Sequence, residues 1–187
     1  MRKDAQARRD HLIEVAADLF EQDGYEIPLE TIAEKAGVGR GTLYRNFRDR
    51  SALVIEVLKL REGQFHRYTE ALTSPKEAFV TWMKGVGVLS ALYSPVFASL
   101  DHGDEHIAAE WEEIQTRHQA FYKTVLHDAI AAGEISDSVG PEDMHLLALM
   151  MAGVGEGTPA AEREKALDQA VELLLAGLET KPGTQAD

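Results

Sequence analysis

A short stretch near the amino terminus concentrates the side chains whose types and spacing could do chemistry. From residue 40 onward, Leu43 and Phe47 are four positions apart and share the inner face of a helical pattern. The outer face then carries hydrogen-bonding groups, namely Arg40, Thr42, Tyr44, Arg45 and Asn46. Basic residues dominate residues 35–50, where Asp49 is the single acid. Cationic and hydroxyl groups on a short helix predict contact with phosphates and base edges, which is binding rather than bond-making chemistry.

The elements that must position this face are two short helices joined by a glycine corner. In the first helix the apolar positions recur at three- and four-residue spacing, at Leu29, Ile32, Ala33 and Ala36. Gly37 can adopt the left-handed conformation that ends such a helix, and Gly39 adds a second permissive residue. Two helices around a tight glycine turn match the helix-turn-helix, whose second helix enters the major groove of DNA.

Residues from about 8 to 54 resemble the amino-terminal domain of the TetR family of bacterial transcriptional regulators. The matching positions are Ala16, Leu19, Phe20, Gly24, Tyr25, Ile32, Ala33, Ala36, Gly37, Val38, Gly41, Thr42, Leu43, Tyr44, Phe47 and Leu53. The resemblance implies an all-α fold, with a helix-turn-helix head joined by a long helix to a helical ligand-binding and dimerisation bundle. It also implies a DNA-binding transcriptional regulator. We expect this regulator to be a repressor that binds an inverted-repeat operator as a homodimer and is released by a small apolar or aromatic ligand.

The resemblance also assigns roles to individual residues of the head. Arg40 is expected to pair with a guanine edge, and Tyr44 to hold a phosphate through its hydroxyl. Arg50, where the family usually has lysine, is expected to contact a phosphate at the start of the fourth helix. The complete set of expected DNA-binding residues is Arg40, Gly41, Thr42, Tyr44, Arg45, Asn46 and Arg50.

Composition limits the classes of protein to which the chain can belong. Its 187 residues are 44% hydrophobic, which is enough for a substantial core, and it has no cysteine to supply disulfides or thiolate metal sites. The longest uncharged run, residues 85–100, is too short for a membrane helix, and the charged start does not resemble a secretion signal. We therefore expect a cytoplasmic protein without a membrane segment.

The net charge of −13 is distributed unevenly along the chain. Residues 1–50 hold nine Lys/Arg and ten Asp/Glu, which gives −1, and the remaining residues hold ten and twenty-two, which gives −12. A strongly acidic body would repel DNA, so non-specific binding would be limited to the less acidic head.

Apolar periodicity predicts helices throughout, with no alternating strand pattern. The expected helices cover residues 3–22, 28–36, 40–47, 50–72, 75–93, 96–100, 105–132, 142–156 and 159–179. Ser94-Pro95 is expected to break the fifth helix. We divide the chain into a DNA-binding domain at 1–48, a ligand-binding and dimerisation domain at 49–180, and a disordered tail at 181–187.

The last two predicted helices, 142–156 and 159–179, are the expected homodimer interface. The first is apolar on nearly all sides, and its small residues, Ala148, Ala152, Gly153 and Gly157, would permit close helix approach. The alternative is that these residues are buried within one chain.

Aromatic residues in the middle of the chain suggest a pocket for a small molecule. The candidate residues are Trp82, Met83, Phe97, Trp111, His118, Phe121 and Tyr122. The alternative is an ordinary core, since aromatic residues at helical spacing usually pack together. His118 interrupts an apolar stripe, which favours a hydrogen-bonded core histidine over a ligand contact.

Other functions have weaker support in the sequence. His102 and His106, beside Asp101, Asp104 and Glu105, have the spacing of metal ligands, but a loop-to-helix boundary between them favours solvated side chains. We expect no metal, no cofactor and no catalytic residue. The alternative to a regulator is a helical metal-binding or protein-interaction protein with a vestigial DNA-binding head.

Overall fold

A computed structural model describes residues 2–100 and 104–178, including all of their side chains except those of residues 2, 3 and 95–100. Eight helices and no strand occur within these ranges, so the predicted all-α fold is confirmed. The helices are α1 Arg2–Asp23, α2 Leu29–Lys35, α3 Arg40–Asn46, α4 Arg50–Glu70, α5 Pro75–Leu100, α6 Glu105–Ala131, α7 Pro141–Gly157 and α8 Ala160–Leu178.

The chain divides into two compact units that share the long helices. The first unit comprises residues 1–65 and 92–116, and the second comprises residues 66–91 and 117–187. Helices α4, α5 and α6 each contribute one segment to each unit.

The helix boundaries follow local signals in the sequence. Gly24 and Gly133 have positive φ angles, of 86° and 73°, and they follow the ends of α1 and α6. Asp49 accepts a hydrogen bond from the Ala52 N–H at 2.9 Å, and Ser74 accepts one from the Glu77 N–H at 3.2 Å. These side chains satisfy N–H groups in the first turns of α4 and α5.

The predicted break at Ser94-Pro95 is wrong, because α5 continues through Pro95 to Leu100. A proline inside a helix removes one backbone hydrogen bond and costs about 3 kcal/mol or more. Earlier in α5, Phe79, Trp82 and Met83 are fully buried, and this burial helps to offset that cost. The separate helix predicted at 96–100 is therefore the end of α5. The tail predicted at 181–187 lies outside the described residues.

The core of the first unit fixes the three amino-terminal helices against one another. The apolar stripe of α1 is buried, and it consists of Leu12, Ala16, Leu19 and Phe20. Ile32 of α2 and Leu43 of α3 are 0% and 1% exposed. Since α2 and α3 are seven residues each, too short to be stable alone, this burial is what keeps them helical.

Candidate nucleic-acid interface and effector region

The corner between α2 and α3 has the geometry of a Schellman turn. Gly37 has φ +68°, the N–H of Val38 donates to the carbonyl of Ala33 at 2.9 Å, and the Gly37 N–H donates to Glu34 at 3.0 Å. Gly39 then precedes α3, and its carbonyl accepts from the N–H of Thr42 at 2.8 Å. The direction of α3 is therefore set by backbone hydrogen bonds on one side and by buried side chains on the other.

Six of the seven expected DNA-binding residues belong to α3, and Arg50 is the first residue of α4. Arg40, Gly41, Tyr44 and Arg45 are exposed, whereas Leu43 is buried. Phe47, just after the helix, is 2% exposed and has an extended backbone, so α3 ends one residue earlier than the spacing predicted.

Hydrogen bonds orient several polar groups of this face. One guanidinium nitrogen of Arg45 donates to the Thr42 hydroxyl at 3.0 Å, and the Asn46 amide donates to the Thr42 carbonyl at 2.7 Å. The Tyr44 hydroxyl donates to a carboxylate oxygen of Glu30 at 3.3 Å. Because these contacts lie within α3 or join it to α2, the face is ordered and still exposed to an incoming ligand.

Arg50 has a structural contact that the sequence did not predict. Its guanidinium donates to the backbone carbonyls of Tyr25 and Ile27, the latter at 2.7 Å, and it lies 5.2 Å from the centre of the Tyr25 ring. It therefore joins the start of α4 to the loop between α1 and α2. Phosphate contact by Arg50 stays a prediction, and it would have to use its remaining N–H groups.

Arg9 of α1 forms an ion pair within the first unit. Arg9 lies 2.9 Å from the carboxylate of Glu56 and stacks over Phe47 at 5.1 Å. Burial disfavours the charged form of Glu56, but the hydrogen bond and charge of Arg9, with help from Lys59, outweigh it and hold the pKa of this carboxyl below its usual value.

Asp104 is occupied by contacts unrelated to a metal ion. Its carboxylate accepts from the backbone N–H groups of His106 and Ile107, at 3.0 and 3.2 Å, and pairs with Arg48. The Ile107 N–H makes the largest contribution to the lowered pKa of Asp104, and Arg48 adds to it. Asp104 thus caps α6, while Asp101 and His102 lie outside the described residues.

In the second unit, several of the expected effector residues lie together. The indole N–H of Trp82 donates to Nε2 of His118 at 3.3 Å, and the Trp82 and Tyr122 rings are 5.7 Å apart. Phe121 stacks at 3.8 Å on His66, a residue of α4 that the sequence analysis missed. The rings of His66 and His118 are themselves stacked, with centroids 6.0 Å apart.

Both imidazoles of this group are neutral near pH 7. Burial, assisted by the nearby His66, lowers the pKa of His118 to about 4. The pKa of His66 is also lowered, chiefly by burial. Of the other expected residues, Met83 is fully buried, Trp111 belongs to the first unit, and the side chain of Phe97 lies outside the described residues.

Two family models match this chain, and together they cover most of it. The model of bacterial regulatory proteins of the tetR family matches residues 12–57. The model of the C-terminal domain of SbtR-like transcriptional regulators matches residues 74–180, which is more than half of the chain. The chain belongs to the TetR family of bacterial transcriptional regulators. The resemblance seen in the sequence is thereby confirmed, and such regulators bind DNA and are not enzymes.

Relatives of this TetR-family protein agree with both matches. A curated HTH-type transcriptional regulator of Staphylococcus aureus (strain USA300) is 45% identical over 60 residues, and the match spans 32% of each chain. The crystal structure of the TetR transcriptional regulator SCO0520 from Streptomyces coelicolor is 26% identical, with a TM-score of 0.70, and covers 92% of this chain and 99% of its own. A TetR regulatory protein from Mycobacterium vanbaalenii is also 26% identical, with a TM-score of 0.69 and coverages of 96% and 99%.

A fourth relative shares the fold at lower identity. The regulator FadR from Bacillus subtilis, solved in complex with stearoyl-CoA, is 22% identical, with a TM-score of 0.60, and covers 90% of this chain and 98% of its own. As for membranes, none of the helices in the described ranges of this TetR-family protein is long and apolar enough to cross a bilayer.

Proposed function

We propose that this protein is a repressor that binds an inverted-repeat operator as a homodimer and is released by a small effector. The observation that carries the DNA-binding part is the outer face of α3, where Arg40, Tyr44 and Arg45 are exposed beside a buried Leu43. A helix of seven residues reads only a few base pairs, so a second copy is needed to read a full operator. We place this activity in the cytoplasm.

Within this proposal, residues 1–48 bind DNA and residues 49–180 bind the effector and the second copy. Arg40 and Arg45 read base edges, while Tyr44 holds a phosphate. Gly41 allows close approach of the backbone, and its Cα faces the Arg45 guanidinium, which would be 3.8 Å from any added Cβ. Thr42, Asn46 and Arg50 complete the set of groups that contact the duplex.

The proposed effector region is the cluster of Trp82, His118, Phe121 and Tyr122 in the second unit. Its rings offer apolar faces, and the two neutral histidines nearby offer polar atoms, a combination that suits a small molecule with an apolar or aromatic part. The stearoyl-CoA bound to the Bacillus subtilis protein is a precedent for a bound ligand with a long apolar chain in this fold. An effector that binds better to the DNA-free arrangement would shift the population away from DNA.

An operator is first selected from a random DNA pool by the wild-type protein. The test is then titration of purified variants against this operator and against scrambled DNA. Arg40→Ala and Arg45→Ala should each weaken operator binding, by about 1–3 kcal/mol for an arginine that makes a bidentate base contact. Tyr44→Phe should weaken binding to both DNAs similarly, since a phosphate contact carries no sequence information. Arg67→Ala, which removes an exposed arginine from the last turn of α4, is the matched control and should change neither affinity.

Unchanged operator affinity in both α3 arginine variants would refute the assignment. It would favour the alternative, a protein-interaction module with a vestigial head. Repression is tested by transcription in vitro from a promoter that contains the operator, where added protein should lower the transcript level. A rise in transcript level would instead identify an activator.

A further inference from the structure

The first unit contains a cavity of about 240 Å³ beside the end of α3. All of the residues that line this cavity belong to the first unit, and they come from α1, α4, α6 and the segment around the end of α3. Its apolar lining includes Ala52 and three residues that are at most 3% exposed, namely Phe47, Ile55 and Ile107. Pockets for drug-sized ligands have volumes of about 300–1,000 Å³, so this cavity suits a smaller molecule.

The charged residues that line the cavity are already paired. Arg9 lies 2.9 Å from Glu56, and Glu110 pairs with Lys59 of α4. Arg48 pairs with two acids that are not part of the lining. A charged ligand would leave water without gaining an unpaired counter-charge, which is unfavourable. The cavity therefore favours a neutral ligand.

The other polar groups of the lining suit a planar amide. Among the described residues, the Asn46 amide bonds only to the Thr42 carbonyl, at 2.7 Å, and His106 presents an exposed imidazole. An amide and a neutral imidazole each provide a donor and an acceptor, which a carboxamide can match. The guanidinium of Arg9 already stacks on the Phe47 ring, and a ligand ring can stack on a guanidinium in the same way.

We propose that this cavity binds a small neutral aromatic carboxamide, with its ring against a guanidinium and its amide bonded to Asn46 and His106. The site is separate from the effector region proposed in the second unit, and it does not depend on the repressor activity. From the sequence, Asn46 was considered only for DNA contact and His106 only for a metal site. Nothing in their spacing shows that the start of α6 lies near the end of α3.

The position of a bound compound is measured by NMR titration of the full chain, which has seven histidines. The imidazole signal of His106 is assigned by its loss in His106→Gln, and that of His118 by its loss in His118→Asn. We expect benzamide to shift the His106 signal saturably while the His118 signal, which reports on the effector region, stays in place.

The class of ligand is tested by comparing compounds of similar size. Benzamide should bind with a Kd of about 0.1–1 mM, which is ordinary for about nine heavy atoms. Benzoate and benzylamine, which carry opposite charges near neutral pH, should bind about tenfold more weakly. Cyclohexanecarboxamide, which lacks the aromatic ring, should bind about two- to fivefold more weakly.

Variants of the lining test the location independently. Ala52→Leu fills the cavity without removing a polar group, and it should lower the affinity for benzamide by about tenfold or more. Asn46→Ala should lower it by about two- to tenfold, since one hydrogen bond is lost. The matched control is Ala109→Leu, an exposed position of α6 outside the lining, which should leave the affinity unchanged. Circular dichroism confirms that each variant is folded.

Several results would overturn the proposal. They are a His106 signal that does not move at saturating benzamide, a shift confined to His118, and equal affinities of Ala52→Leu and wild type. Benzoate or benzylamine binding as tightly as benzamide would overturn the assignment of a neutral ligand. None of these measurements contains DNA, so failure of the repressor proposal would leave this site intact, and the reverse also holds.

Discussion

At the scale of single residues, the arginines of the head differ in what they contact. Arg40 and Arg45 are exposed on α3, whereas Arg50 donates to the carbonyls of Tyr25 and Ile27 and stacks on the Tyr25 ring. A hydrogen bond from a charged donor stabilises a buried or half-buried carbonyl more than one from a neutral donor. The planar guanidinium of arginine can donate to two carbonyls at once. Arg50 therefore stabilises the loop before α2, in addition to its proposed contact with phosphate.

We expect Arg50→Ala to lower the free energy of unfolding by about 1.5–3 kcal/mol, because hydrogen bonds from a charged donor are lost. Arg50→Lys should recover part of this loss, since an ammonium keeps the charge but lacks the fork. Urea unfolding followed by circular dichroism measures both, with exposed Arg67→Ala as the control. If Arg50→Ala weakens DNA binding while the free energy of unfolding is unchanged, phosphate contact is the main role of Arg50 and its contacts with the loop contribute little to stability.

At the scale of elements, α7 has one face buried in its own chain. Met144, Leu147, Met151 and Gly155 form this face. Gly155 lies so close to α5 that an added Cβ would be 1.9 Å from the carbonyl oxygen of Gly87. Close helix approach within the chain is thus assigned to Gly87 and Gly155, whereas an added Cβ at Gly153 or Gly157 would meet nothing within 4 Å.

Gly155→Ala should destabilise the second unit, by about 1–3 kcal/mol, because the backbones of α5 and α7 must move apart. Gly153→Ala, two residues earlier on the same helix, should instead be neutral or stabilising by up to about 1 kcal/mol, since alanine favours helix over glycine. Thermal and urea unfolding of the two variants gives the comparison. Equal stability of both variants would contradict the close contact between α5 and α7.

At the scale of the whole molecule, the opposite face of α7 suggests how two copies meet. Leu146, Leu149 and Met150 are 56%, 57% and 46% exposed, and Leu173 of α8 is 72% exposed. Leu146, Leu149, Met150 and Gly153 follow helical spacing, so they form one stripe on α7. An exposed apolar stripe of this kind is typical of a protein–protein interface, and a two-fold symmetric pair would bury the same stripe on both copies.

Leu146→Glu combined with Leu149→Glu should convert the proposed dimer to a monomer, because carboxylates would be placed in an apolar interface. Sedimentation at micromolar concentration measures the oligomeric state, and operator binding should weaken in parallel as the paired contact is lost. Tyr68→Glu changes an equally exposed apolar residue on α4 and should remain dimeric. A wild-type chain that sediments as a monomer would remove the basis for this interface.

The sequence by itself determined the elements whose signals are local. The sequence predicted the glycine stop after α2 and the buried positions of α2 and α3, because each depends on residues within a few positions of one another. The dense match over the helix-turn-helix identified the family for the same reason, since Gly37, Gly41 and Tyr44 fall within one short segment. The break predicted at Pro95 was wrong because proline was treated as a local helix breaker, without the side chains that α5 buries elsewhere along its length.

Only the tertiary structure decided which distant residues meet. Three contacts join residues that no periodicity of the sequence relates. They are the hydrogen bonds of Arg50 to Tyr25 and Ile27, the close approach of Gly155 to Gly87, and the stacking of His66 and His118. These contacts depend on how helices pack, and packing is set by the summed burial of many side chains rather than by any local pattern. The exposed outer face of α3 was therefore predictable from residue order, whereas the stacking of His66 on Phe121 became visible only once α4 and α6 lay side by side in the second unit.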